Sequence, residues 1–266
     1  MSDPSDIISV RNLKIGYGEK VILHGINFQV RRGEVFVILG GSGSGKSTLL
    51  KNLIGLYTPL EGEIWIERGN LATADGEERS HLLRKFGVMY QSGALFGSMT
   101  VLENVRLPLD EFTALPEPIK ELAALAKLKL VGLGAAAHQM PSELSGGMLK
   151  RAAIARAMAL DPQILFLDEP SAGLDPITSA DLDQLVKYLS QHYGITFVIV
   201  THELASIYAI ADWMIMLDSR THTVVAEGKP NELRETAIDP WVRRFFNREP
   251  DPEEPAPLIQ PTVKSL

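Results

Sequence analysis

The run Val35-Phe36-Val37-Ile38-Leu39, followed at once by Gly40-Gly41-Ser42-Gly43-Ser44-Gly45-Lys46-Ser47, constrains this chain more than any other stretch. Five apolar residues without polar alternation read as a strand buried on both faces, the habit of a parallel sheet covered by helices. The eight residues after it fit G-x-x-x-x-G-K-[ST]. Glycines there allow successive backbone N–H groups to turn inward around phosphate oxygens, because no Cβ blocks the approach. A helix is expected from about Lys46, with Leu49, Leu50, Leu53 and Ile54 on its apolar face. Its positive end then aims at the same anion. Lys46 supplies a point charge to the β- and γ-phosphates, and Ser47 offers a hydroxyl to Mg²⁺. Together with Thr48, these residues spell a nucleoside triphosphate site and, alone, nothing finer.

The rest of the chain alternates in the same way. Short strands are expected over Ile7–Leu13, Val21–Val30 and Ile64–Ile66, the last entered through a turn at Glu61-Gly62-Glu63. Residues 93–160 change character: Ala and Leu recur at helical spacing between Pro and Gly breaks, which reads as a helical insertion. Buried-strand runs return at Ile164–Leu167, Thr196–Val200 and Trp213–Leu217. Asp175-Pro176 opens a helix, Asp as N-cap and Pro in the first helical position. Strands alternating with helices imply an α/β fold with a mainly parallel sheet.

A second chemical element is the strand Ile164-Leu165-Phe166-Leu167 ending in Asp168-Glu169. Asp168 suits the water shell of Mg²⁺, a hard cation that keeps several waters and prefers oxygen ligands. Glu169 stands next to it as a candidate general base for an attacking water, a role typically worth about 10²–10⁴ in rate. By itself such a pair is more simply a solvated strand end; sharing a sheet with the phosphate loop changes that balance.

Leu144-Ser145-Gly146-Gly147-Met148 lies between these two elements, at the start of a helix expected to run to about Leu160. It resembles the LSGGQ signature of ABC ATPases, and the order of motifs over residues 7–245 is similar to that family's. The resemblance implies a P-loop NTPase of ABC type: a RecA-like core, an antiparallel β subdomain and the helical subdomain of about 93–160 inserted between them. It implies that Ser145, Gly146 and Gly147 grip the γ-phosphate of ATP bound to a second copy of the chain. Tyr17 falls where the family's aromatic stacks on adenine, although a tyrosine there also serves as strand packing. Gln91, after the strand Val88-Met89-Tyr90, matches the glutamine that reaches Mg²⁺ and the attacking water. Ser171 to Asp175 matches the loop that communicates across the dimer, and His202 the histidine at the γ-phosphate. Met148 departs from the usual Gln, without touching the Ser145 hydroxyl or the helix end.

Within the family, Tyr90-Gln91-Ser92-Gly93-Ala94-Leu95-Phe96, Pro141-x-Glu143-Leu144-Ser145-Gly146-Gly147-Met148-x-Lys150-Arg151 and Ala157-Met158-Ala159-Leu160-Asp161-Pro162 resemble the ATPases of Mla-type, MCE-associated lipid transporters of Gram-negative bacteria. That resemblance implies an integral-membrane permease, a periplasmic MCE-domain lipid-binding protein, and a place on the cytoplasmic face of the inner membrane. The segment Gly93–Leu109 would receive the permease; its apolar Leu95, Phe96, Met99, Val101 and Leu102 serve equally as subdomain core. Two other readings stay open: the ATPase of a small-solute importer, and an ABC ATPase without a transport role.

Bulk properties exclude little but agree. The 266 residues carry a formal charge of −7, against a nucleic-acid partner. There is no cysteine, hence no disulfide or thiolate site. MSDPSDIISV lacks the basic-then-apolar pattern of a signal peptide. The longest apolar stretch, Leu204–Leu217, is interrupted by Ser206 and Asp212. Asn231–Asn247 reads as an amphipathic helical piece carrying Trp241, Phe245 and Phe246, and 246–266, rich in Pro and Glu, as a tail unable to fold alone. Trp241 to Asn247 and that tail are expected to contact the partner ATPase or an accessory subunit.

Overall fold

The computed structural model describes residues 5–249. Two sheets form its frame. The first is antiparallel, in the order β2-β1-β4-β5, with β1 Asp6–Tyr17, β2 Lys20–Arg31, β4 Glu61–Ile66 and β5 Gly69–Asn70. The second has six strands in the order β10-β9-β3-β8-β7-β6: β3 Val35–Gly40, β6 Phe86–Met89, β7 Ile164–Asp168, β8 Thr196–Val200, β9 Trp213–Asp218 and β10 Thr223–Gly228. Strands β6 to β9 and β3 pair in parallel, and β10 pairs antiparallel on the edge.

The unbroken apolar runs are explained by burial on both faces. Val35, Val37 and Leu39 face a core shared with the helices, whereas Phe36 and Ile38 face a second core between the two sheets. Strand β7 divides in the same way, Leu165 and Leu167 to one side, Ile164 and Phe166 to the other. Along β3 and β7 the one polar side chain is Asp168, the last residue of β7.

Two strand expectations are corrected. Strand β1 runs four residues beyond Leu13, and Glu61-Gly62-Glu63 lies within β4 rather than in a turn before it. The cause is an irregularity in the β1–β4 ladder between Arg11 and Lys14, where Asn12 takes φ 45° and Gly62 φ 92°. A Cβ on Gly62 would stand 2.7 Å from the Arg11 carbonyl oxygen, so the ladder closes only over glycine.

Helix α1, Lys46–Leu53, follows β3. Helix α2, Gly76–Leu83, precedes β6. Between β6 and β7 lie α3 Val101–Phe112, α4 Glu117–Leu130 and α5 Gly146–Ala157, the expected helical insertion. Val101 and Leu102 are buried in its core, while Phe96 is half exposed. Helix α6, Pro176–Tyr193, starts as read, with Asp175 accepting from the N–H groups of Ile177 and Thr178. The interrupted run at Leu204–Leu217 is α7, Leu204–Ile210, followed by β9. Among the described residues no helix is long and apolar enough to cross a membrane.

The C-terminal piece is two helices, α8 Pro230–Thr236 and α9 Pro240–Asn247. The break falls where Asp239 caps α9 through the Trp241 N–H and Pro240 takes its first position. Phe246, assigned above to a tail, is 3% exposed and packs with Tyr208 of α7. The remainder of that tail, 250–266, lies outside the described residues.

Candidate functional site

The parallel strands bring four connections to one edge of the sheet. Ile38 of β3 pairs with Val200 of β8, and Val200 with Asp168 of β7. The phosphate loop after β3, Glu169 after β7, Thr201-His202 after β8 and Gln91 after β6 therefore leave the sheet together, the usual place for a ligand in an open α/β sheet.

The loop itself is built on close approaches. A side chain at Gly40 would run into Ser44 and stand 2.7 Å from the Leu217 carbonyl oxygen of the neighbouring strand. Gly45, at φ 93°, caps α1 without a side-chain bond, leaving the first N–H groups of that helix to face the loop. The Lys46 ammonium is held by the carbonyls of Gly40 and Gly41 at 2.8 and 2.9 Å. Its burial lowers the ammonium pKa, while the carboxylates of Glu169 and Asp168 pull it back up. Ser44 is buried, and Ser42, Gly43 and Ser47 stand toward solvent. Tyr17 is about half exposed; its hydroxyl lies 3.2 Å from the Thr48 hydroxyl, and its ring meets Tyr57 edge-on. The strand-packing role for Tyr17 is thus not the one observed, since its ring lies on the surface beside α1.

Asp168 and Glu169 are not a solvated strand end. Burial raises the Asp168 pKa, the Glu169 charge adds to the rise, and Lys51, Lys46 and Lys150 oppose it. One oxygen of each, Asp168 Oδ1 and Glu169 Oε2, is buried without a hydrogen-bond partner. Orphaned carboxylate oxygens beside a phosphate site fit a Mg²⁺ shell and a water, so the donor set suits that ion. Glu169 also sits at φ 46°, a left-handed conformation that costs a non-glycine residue about 1–3 kcal/mol. The bend is held by the Glu169 N–H donating to the Val200 carbonyl at 2.8 Å, and it sets Oε1 2.8 Å from His202 Nδ1.

Two site residues escaped the sequence reading. Lys150 of α5, only 7% exposed, donates to the backbone carbonyls of both Gln91 and Glu169. Trp241 of α9, expected to contact a partner, lies against the loop within its own chain: a Cβ on Gly41 would meet its ring at 4.0 Å, and Arg220 stacks on it at 5.2 Å. Lys150 is the fifth residue of α5, and nothing in the sequence marks its side chain as buried. Nothing in it marks Trp241 for the loop either.

Ser145, Gly146 and Gly147 form a separate cluster. Ser145 caps α5, its Oγ accepting from the Met148 N–H at 3.3 Å. Gly146 faces Leu174 at 3.3 Å from an added Cβ, and a Cβ on Gly147 would collide with the Thr178 methyl. This second helix end is thus seated on the start of α6, not beside the loop at 40–48.

A loop that wraps phosphates, a bent acid pair at a strand end and a second helix N-terminus facing elsewhere define an ATP-hydrolysing cassette. The chain belongs to the ABC transporter family of ATPases, whose family model matches residues 23–172. Over its length it is 39% identical to the "Intermembrane phospholipid transport system ATP-binding protein MlaF" of Haemophilus influenzae, covering 92% of each chain. It is 38% identical to the protein of that name in Escherichia coli K12, over 91% of this chain and 89% of the relative. It is also 41% identical to the "Probable ribonucleotide transport ATP-binding protein mkl" of Mycobacterium leprae, covering 90% of this chain and 68% of the relative. Among solved structures, the dimeric cassette MJ0796, a bacterial ABC transporter component, superposes with TM-score 0.75 at 35% identity, over 84% of this chain and 98% of the other.

Proposed function

We propose that this ATPase powers phospholipid movement between the inner and outer membranes of a Gram-negative bacterium. The single observation that carries the reading is the similarity to MlaF along nearly the whole of both chains. In this reading the chain sits on the cytoplasmic face of the inner membrane, held there by an integral-membrane permease that works with a periplasmic MCE-domain protein. Two copies act together, as the dimeric MJ0796 cassette does.

The residues divide the work as follows. Tyr17 offers its exposed ring to the adenine. The backbone N–H groups of residues 40–47, the α1 dipole and Lys46 hold the phosphates. Ser47, Asp168 and Gln91 would hold Mg²⁺, which supplies charge neutralisation of the phosphate oxygens. Glu169 takes a proton from the attacking water through its unpartnered Oε2, and His202 fixes that carboxylate by bonding the other oxygen. Ser145, Gly146 and Gly147 complete the site of the second copy. Catalysis then comes from positioning and from dipoles already in place.

The similarity to mkl favours a second reading, a small polar solute as cargo. A pull-down from native membranes separates the two. The bait is the tagged Glu169→Gln chain with ATP and Mg²⁺, read by mass spectrometry of proteins and lipids. A permease with an MCE-domain protein and bound phospholipid is the expected catch. A permease with a soluble solute-binding protein supports the second reading, and no membrane protein at all overturns transport.

A further inference from the structure

Helix α5 carries two features on one rigid rod. Its N-terminus carries Ser145, Gly146 and Gly147, seated against Leu174 and Thr178. Five residues beyond Ser145, about 7–8 Å along the axis at 1.5 Å per residue, stands Lys150. Its side chain turns into the molecule and is one of only two buried lysines among the described residues, the other being Lys120. A buried ammonium is costly unless its protons are all given to acceptors. Lys150 gives two of its three to backbone: to the Gln91 carbonyl and, at 3.4 Å, to the Glu169 carbonyl. Burial lowers its pKa, and the charges of Asp168 and Glu169 hold the ammonium form against that. Neither an ion pair with a carboxylate nor a contact with the surface explains this lysine.

We infer that Lys150 is a positioning residue for hydrolysis: it ties the Gln91 loop and the bend at Glu169 to each other and to α5. The inference rests on the roles given above to Gln91 and Glu169. The tie matters at these two points because neither is held by regular structure alone. Gln91 lies just past the end of β6, and its side chain is exposed. Glu169 sits in a left-handed conformation one residue beyond β7, and its carbonyl is shared between Lys150 and the Ala172 N–H. Arg156, nearly two turns further along α5, donates to the carbonyls of Ala94 at 2.6 Å and Gly93 at 2.9 Å, so the same helix grips the Gln91 loop twice. A shift of α5 is thereby transmitted to both residues. The helix end that meets the other copy's nucleotide and the groups that activate water at this copy's own nucleotide are one mechanical unit.

The role is separable from folding and from nucleotide binding, because Lys150 bonds neither the loop at 40–48 nor any residue assigned to the adenine, and it meets Gln91 at the backbone carbonyl, not at the side chain assigned to Mg²⁺. The experiment compares the full chain with Lys150→Met and Lys150→Arg variants, in the complex each forms in its native membrane. MgATP affinity is read with a fluorescent trinitrophenyl-ATP, alongside kcat, KM and Tm. Lys150→Met is expected to keep the nucleotide Kd and KM within about twofold while kcat falls roughly 10- to 100-fold, the scale of a misplacement of about 1 Å. Lys150→Arg, which can still donate to both carbonyls, is expected to recover most of kcat. In a Gln91→Ala background the added Lys150→Met change is expected to cost less than it does alone, since the part of its effect that runs through the Gln91 side chain is already lost, while the part that runs through Glu169 remains.

Unchanged kcat in Lys150→Met overturns the inference. So does a loss of kcat matched by equal losses of affinity and Tm, which marks a merely structural lysine, or full additivity with Gln91→Ala. Should Lys150→Met not fold, Lys150→Gln, able to reach one carbonyl, gives the same split. Glu169→Gln is run alongside: if it keeps turnover, the base assignment has failed, whereas its loss with Lys150→Met fully active sinks the positioning role alone.

Discussion

The two helix N-termini assigned above to the nucleotide are built in opposite ways. At α1 the cap is Gly45, in a left-handed turn with no side-chain bond, so the first N–H groups are left to a ligand. At α5 the cap is Ser145, whose hydroxyl already accepts the Met148 N–H. Around the first end gather Lys46, Asp168, Glu169 and, through Glu169, His202. Beside the second, Gly146 faces Leu174 and Gly147 faces Thr178, at the start of α6. One end is a finished phosphate cradle within its own chain. Under the function proposed above, the other completes the site of a second copy, and this difference makes a single chain incomplete on that reading.

The comparison can be attacked from its strongest side first. Glu169→Gln is expected to lower ATP turnover by about 10²–10⁴ while MgATP still binds, because the phosphate-holding residues are untouched. A phosphate-release assay beside a nucleotide-binding titration checks it, and retained turnover removes Glu169 from the base role.

The next effect tests the division between copies. Lys46→Ala chains and Ser145→Arg chains are each expected to be inactive. Mixed, they pair one intact cradle with one intact α5 end, so up to roughly a quarter of wild-type activity returns if sites fire independently. No recovery on mixing would mean that both helix ends serve the same chain.

A smaller effect concerns the seating of α5. Gly147→Ala drives a methyl into Thr178, itself held by Asp175, and overpacking of this kind costs about 1–3 kcal/mol. Thermal unfolding is expected to fall by several degrees, whereas Gly43→Ala, in open space, is penalised only for its φ of 75°.

The smallest effect is a pH dependence in α6, which backs that same end. Burial pushes the Asp183 carboxyl up to about 6, and the nearby Glu203 charge adds to the rise. A folded-state pKa above the unfolded value means that folding takes up a proton between the two. The contribution to stability is therefore fullest below the unfolded value near 4, declines as pH rises toward about 6, and is flat above. Tm is expected to drop by a few degrees over that window in the wild-type chain relative to Asp183→Asn. Parallel curves for the two proteins would place the titration elsewhere.

Much of this was legible residue by residue. The phosphate loop was readable because its motif is local: Gly40 has no room for a side chain, and Gly43 and Gly45 take positive φ. The Asp175-Pro176 start of α6 and the Ser145 start of α5 were readable because caps are decided by one side chain and the next two N–H groups. The α5 helix ended three residues short of Leu160, and the C-terminal amphipathic stretch split at Asp239-Pro240, since helix ends depend on packing as well as pattern. Strand β1 and the segment Glu61–Glu63 were misread because their conformation depends on each other: Asn12 and Gly62 bend at the place where the two strands cross.

By itself, then, the order of residues determined the class of chemistry and most elements that bear it: a strand buried on both faces, a glycine loop, an acid pair at a strand end, a serine cap. These follow from interactions within a few positions, which a linear pattern records. Only the tertiary structure decided that Lys150 reaches Gln91 and Glu169 across 59 and 19 positions. It alone placed Trp241 over Gly41 and Phe246 in the core beside Tyr208. Such pairs are brought together by sheet order and helix packing, and in the sequence each partner looks like an ordinary lysine or aromatic on an amphipathic helix.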